Sequence, residues 1–382
     1  MRKLPLPLKA VVITVMTLLF SHVVVYDLMS VSFFSPMEKA SDFRFSDFYT
    51  IVADDRAVSI LDDDIVIVPV DGYTRREMAR VIDDIDFSEP AAVGLDIAFA
   101  PPSNPDDDPL AEALASCANL VMPVRIDHDE DGSSHLRHMS YYDEIVEPQG
   151  GFAAVNIQGD AGERTTVRNF TGTFQTEEGN VPSLAAALVA IVKPEAAKKL
   201  EERSGKEEYI KFASRKFDTV LPEEIIDNPD LVKGKIVLVG KMQNAGDLHV
   251  TPLDNFMPGL LIHAHTAATI ISGDYIRTLT KAESYAVAAA VCLIIVWLNM
   301  LLIESPVGPL VVRVVQVLLL YLMIVGGTMA YVNHSIDLNF SFAIMSASLG
   351  VAACDVYIGL FNKNGLCDRI GRLFRKPNPN RI

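Results

Sequence analysis

Residues 251–276, TPLDNFMPGLLIHAHTAATIISGDYI, lead straight into three long apolar segments, 285–303, 310–332 and 340–361. A helix needs about 20 mostly apolar residues to cross a bilayer, and each segment has roughly that length. A fourth apolar stretch, 10–29, lies near the start of the chain. Between the first and second stretches runs a polar and acidic region, 31–282. The layout predicts an α-helical transmembrane bundle joined to one large outer domain. A short stub (1–9) and a basic tail (362–382) then share the other side of the membrane.

Charge bias sets the orientation. Arg2, Lys3 and Lys9 precede the first stretch, and Lys363, Arg369, Arg372, Arg375, Lys376 and Arg381 follow the last. Both ends are therefore expected on the cytoplasmic side, with 31–282 outside. The first stretch has the design of a signal peptide, but its apolar core is long and no A-x-A cleavage site follows, which favours an uncleaved anchor. The chain carries a formal charge of −16. Residues 31–282 hold 43 acidic against 23 basic residues, roughly −20, a field that disfavours nucleic acid and favours solubility, cations or basic partners. Cys117 is the only cysteine of the outer region, so no disulfide forms within it; it reads as a buried apolar residue.

Upstream of the quoted stretch, GKIVLVG (Gly234–Gly240) reads as a buried strand. So do DIVIVPV (Asp64–Val70), AAVGLDIAF (Ala91–Phe99) and Asn119–Ile126. Thr74–Ile85 has helical apolar rhythm, and Thr74 and Glu77 stand in the spacing of a capping box. Pro109–Cys117 reads as a short helix. Strands alternating with helices predict a mixed, largely parallel sheet flanked by helices. In the middle, Gly151–Ile157 and Thr165–Phe174 read as neighbouring strands turning at GDAGER, Pro182–Leu200 as one helix, and Tyr209–Ala213 as a short strand. Met257–Ser272 reads as a closing helix that begins near Pro258.

Asp127–Gly132, DHDEDG, opens like a calcium loop, but position twelve is His138 where a bidentate Glu is needed. A hairpin turn is the expectation there. Asn104–Pro109, NPDDDP, reads as a solvated loop. The densest polar group is Asp247, His249, Thr251, His263 and His265. With Asp71 and Asp96 it falls at or just after strand ends, the edge where open parallel sheets bind ligands. Two readings stand: a shared pocket for a small polar ligand or cation, or loop-capping Asp and core His. His263 and His265 lie two apart on one helix and point in different directions, so they are not expected to share a metal. Lipase, zinc-protease, P-loop and kinase signatures are absent, so neither enzyme activity, a metal nor a cofactor is expected. Inside the membrane, Asp355 is expected to pair with Arg313, near Glu304 or Gln316, or else to snorkel.

Together DIVIVPVD, PAAVGLDIAFA, DPLAEAL, NLVMPV, GKIVLVG, GDLHVTPL, PGLLIHAHTAATI and SGDYI resemble the CHASE type 2 family of extracellular sensory domains. The resemblance implies an α/β periplasmic domain in a bacterial inner membrane. Where such domains often carry a Trp-Pro-Arg stretch after the first strand, this chain has Gly72-Tyr73-Thr74-Arg75. It also reads as a member without an output enzyme after its last span. The implied function is a membrane-anchored sensor or receptor subunit. It would bind an unknown small ligand or ion and signal to a separate membrane or cytoplasmic protein, with a homodimer among its expected forms. A scaffold subunit of an envelope complex is the alternative.

Overall fold

Successive residues of the central strands are buried in two different cores, and this sets the architecture. Ile65 and Ile67 face one apolar core, while Val66, Val68 and Val70 face another. Ile236 and Leu238 share the first core, and Val237 and Val239 the second. Strands buried on both faces this way belong to a sheet covered by helices on each side. The computed structural model describes residues 5–23, 44–56, 60–103, 108–129, 132–157, 165–203, 207–213, 215–302 and 305–361.

In chain order the elements are α1 (Leu6–His22), α2 (Phe45–Arg56), β1 (Ile60–Pro69), α3 (Arg75–Phe87), β2 (Ala92–Asp96), α4 (Pro109–Ser116), β3 (Leu120–His128), β4 (Ser134–His138) and β5 (Phe152–Ala154). There follow β6 (Asn169–Phe170), β7 (Thr173–Thr176), β8 (Gly179–Pro182), α5 (Leu184–Val192), α6 (Pro194–Glu202), β9 (Glu208–Tyr209), β10 (Arg215–Thr219), α7 (Pro222–Ile225) and β11 (Ile236–Gly240). The last are β12 (Leu248–His249), β13 (Met257–Pro258), α8 (Gly259–Ser272), β14 (Arg277–Thr278), α9 (Lys281–Leu302), α10 (Gly308–His334), β15 (Ile336–Asp337) and α11 (Ser341–Phe361). They form two compact units, Thr50–Ile276 and Met1–Tyr49 with Arg277–Ile382.

In the first unit the sheet runs β10–β1–β11–β2–β3–β4, with β5 also on β3. Every pair in it is parallel except β3–β4. One face is covered by α5 and α8, the other by α3 and α4. Thr74 caps α3 as the sequence predicts: the Glu77 amide donates to its hydroxyl, and the Glu77 carboxylate accepts from the Thr74 amide at 2.7 Å. The β3–β4 hairpin brackets the DHDEDG turn, of which residues 130 and 131 lie outside the described residues. Most of NPDDDP and GDAGER lies outside them too.

The structure corrects several local expectations. Among the described residues Gly151–Ile157 and Thr165–Phe174 do not pair as neighbouring strands. The apolar Phe152–Ala154 run joins the buried sheet beside β3, whereas β6 pairs with β9 and β7 turns back on β8. Pro182–Leu200 is two helices, because Pro194 cannot donate within a helix and disfavours helical backbone at Lys193. The strand expected at Tyr209–Ala213 is confined to Glu208–Tyr209, and Ile210 and Phe212 plug the core instead. The closing helix, by contrast, begins where expected: Pro258 is its N-cap and Gly259 its first residue, with Met257–Pro258 paired to Leu248–His249.

In the second unit, α9, α10 and α11 are each long and apolar enough to cross a membrane. Helix α1 spans 17 described residues, and the remainder of the 10–29 stretch beyond Val23 lies outside the described residues, as does the basic tail. Ala10 and Ile13 of α1 pack with Cys292 and Val296 of α9 and Cys354 of α11.

Candidate functional site

The carboxyl edge of the three central strands positions the site. Register places Pro69, Gly240 and Asp96 level across β1, β11 and β2. Beyond Gly240 the chain forms a short hairpin, β12–β13, and enters α8. Two glycines make this crossing possible. A Cβ on Gly240 would lie 2.8 Å from Leu260 Cδ1, and one on Gly259 would lie 2.6 Å from Asp247 Oδ1. The Asp247 carboxylate therefore rests against the first turn of α8, where the helix dipole favours negative charge.

Four predicted residues come together here. His249 Nε2 lies 3.2 Å from Asp247 Oδ1. His263 Nε2 lies 4.0 Å from Asp96 Oδ2. Burial pushes the His263 imidazole down to about 4, with Asp247 pulling it up and His249 pushing it further down. At neutral pH His263 is thus an uncharged imidazole facing carboxylates. It also lines a small cavity of about 20 Å³ of mixed character, with Asn156, Asn169, Thr171, Ser183 and Thr266 beside Ile157, Phe170, Ala185, Ile210 and Ile262, room for about one water. Asn169 Oδ1 is buried there without a hydrogen-bond partner among the described residues. The other predicted residues have local duties. Asp71 accepts the Met242 and Gln243 amides at 3.0 and 2.9 Å, tying the β1 end to the loop after β11. Thr251 is buried and closes a turn with Asp254: its hydroxyl donates to the Asp254 carbonyl and accepts from the Asp254 amide, both at 3.0 Å.

His265 has different surroundings. Its ring lies 5.2 Å from Phe212 and 4.9 Å from Phe217, and Nδ1 is buried without a hydrogen-bond partner among the described residues. Burial, then Arg215, pushes it down to about 3. Among the described residues no group of three or more His, Cys, Asp or Glu is placed to hold a metal ion. The arrangement instead offers carboxylate acceptors and a neutral imidazole to a donor-rich or cationic ligand. Sequence reasoning missed Asn156, Asn169, Thr171, Ser183 and Thr266. Only Thr266, three residues beyond His263 on α8, carried a signal, since positions i and i+3 share a helix face.

In the helical unit the expected pair is present as an ion pair, Arg313 Nη2 lying 3.8 Å from Asp355 Oδ2. Arg313 also donates to Gln316 Oε1 at 3.2 Å, and Gln316 donates to the Ala347 carbonyl at 3.1 Å. Glu304 lies outside the described residues.

A doubly covered, largely parallel sheet, continuous in the chain with long apolar helices on its C-terminal side, defines a class: the membrane-tethered α/β domain. A family model, CHASE2 domain, matches residues 10–303, and the chain belongs to that family of periplasmic sensory domains. No curated protein and no solved structure matches the chain.

Proposed function

We propose that this chain is a multi-pass receptor of a bacterial inner membrane, anchored by four helices with both ends cytoplasmic. Its CHASE2 unit binds a small donor-rich or cationic ligand at Asp96, Asp247, His249 and His263. The observation that carries this reading is the convergence of those four side chains, from three separated segments, on the carboxyl edge of a parallel sheet. That edge is where such sheets take ligands. Two acidic groups and a neutral imidazole, held beside an acidic surface, favour a positively charged or donor-rich guest. The role is binding rather than catalysis, with occupancy passed by the membrane helices to a separate polypeptide. A ligand shifts that equilibrium only by binding one state better than the other.

Native mass spectrometry of the full chain, released gently from its membrane, tests this. A small mass retained by the wild type and lost in Asp247→Ala supports the receptor. A retained polypeptide with no small molecule replaces it with the scaffold reading.

A further inference from the structure

The end of the helical unit at which α9 and α11 begin holds a cavity of about 210 Å³. Helix α10 runs back between them in the chain, so both starts lie at one end of the bundle. The pairing of β14 with β15, which matches Arg277 with Ile336, keeps the two lead-in segments level.

The cavity walls divide by chemistry. Tyr285, Phe342 and Met345 make an apolar floor. The Tyr285 and Phe342 rings meet edge-on at 4.7 Å, and the Tyr285 hydroxyl is engaged by His22 Nδ1 at 2.8 Å. Lys281, Ser284, Asn339 and Ser341 make a polar rim. Each of the four carries a donor: an ammonium, two hydroxyls and a carboxamide. Ser284 Oγ is buried and has no hydrogen-bond partner among the described residues. A buried hydroxyl left in that state is costly, and a bound acceptor would relieve it.

The local charge favours an anion. Glu283, the acid of the same helical turn, is engaged by its own helix: its carboxylate accepts from the Thr280 amide and hydroxyl at 2.8 and 2.9 Å. Lys281 is exposed and forms no ion pair among the described residues. In α11 the Ile344 amide donates to the Phe340 carbonyl at 2.8 Å. The amides that precede it in the first turn are thus left for an outside acceptor. Two of their residues, Ser341 and Phe342, line the cavity, and a helix start of this kind suits a phosphate.

A cationic, donor-rich rim selects an anion, and an apolar floor directly beneath it selects hydrocarbon on the same molecule. Both α9 and α11 are long and apolar enough to cross a membrane. At the ends of such helices a bilayer sets headgroup phosphate above acyl chain. The volume is below the roughly 300–1,000 Å³ of pockets that enclose a whole drug-sized molecule. It fits a headgroup and the first methylenes, with the rest of each chain left in the bilayer.

We propose that this cavity binds the headgroup of an anionic phospholipid. Lys281, Ser284, Asn339 and Ser341 hold the phosphate, and Tyr285, Phe342 and Met345 carry the start of the acyl chains. The site is separate from the sheet edge of the sensory unit. It rests on α9 and α11 spanning the membrane, and not on the receptor reading.

Native mass spectrometry of the full chain in detergent provides the test, with phosphatidylglycerol and phosphatidylcholine of equal chain length as probes. Phosphatidylglycerol is expected to bind about tenfold more tightly, and Lys281→Ala to remove about that factor. Lys281→Arg keeps the charge and is expected to restore it. Met345→Trp fills the floor and is expected to abolish retention; should it not fold, Ser284→Ala replaces it, with an expected loss of about threefold. Asp247→Ala is expected to leave the lipid in place, which separates this site from the receptor's. Equal binding of the two lipids, or binding unmoved by Lys281→Ala, overturns the proposal. Displacement of the lipid by millimolar inorganic phosphate would assign the rim to a free anion and overturn it as well.

Discussion

His263 and His265 sit two residues apart on α8 and live in opposite company. Both are almost fully buried and both are held neutral by burial. His263 faces Asp96 and Asp247 and lines a small cavity shared with Asn156, Asn169 and Thr266; His265 is wedged between Phe212 and Phe217. A depressed imidazole therefore does not mark a site by itself. The company of charged groups from other segments does, and that separates a candidate ligand contact from a core residue.

Acid is the strongest way to break the pair. Both histidines have folded values below the ordinary 6.5, about 4 and about 3. The unfolded chain then binds more protons as pH falls below 6.5, so stability is lost in that direction. Between pH 7.5 and 4.5, each is expected to cost about 3 kcal/mol. Denaturant unfolding of the full chain at the two pH values checks this. Equal stability at both would mean that the imidazoles are not buried as described.

Substitution sharpens the contrast further. His265→Phe removes from an aromatic slot a buried nitrogen that has no hydrogen-bond partner among the described residues, and is expected to stabilise by ~1 kcal/mol while abolishing its share of the acid loss. His263→Phe is expected to destabilise by ~2 kcal/mol, since it leaves Asp96 facing an apolar ring. Thermal unfolding of both variants decides; the same sign for both would erase the distinction. A smaller effect is expected from Gly259→Ala. Its methyl group meets the Asp247 carboxylate and must displace it, at about 1 kcal/mol. Loss of ligand with little loss of Tm is the expected pattern. Retained ligand would show that Asp247 does not need its place on α8.

Much of the frame was legible in the sequence. DIVIVPV, AAVGLD and GKIVLVG are apolar enough to demand burial on both faces, and Thr74 with Glu77 marked the start of α3. The edge strand β10, RKFDT, was invisible because only Phe217 is apolar and its other side pairs with nothing in the sheet. The Lys193–Pro194 break was legible in principle, but the Ala-rich run on either side concealed it. The site was legible as a list and not as a place. Strand β11 inserts between β1 and β2, so Asp96 becomes a neighbour of Gly240 although 144 positions separate them. Long-range strand order has no local signature. Nothing in the residues alone distinguished Asp71 and Thr251, which tie loops, from Asp96 and Asp247, which face His263.

The most direct measurement compares the small molecules retained by the intact wild-type chain, His263→Gln and His265→Phe in native mass spectra. A bound mass present in the wild type, lost in His263→Gln and kept in His265→Phe is the predicted result. A mass lost in both variants, or kept in both, contradicts a ligand site centred on His263.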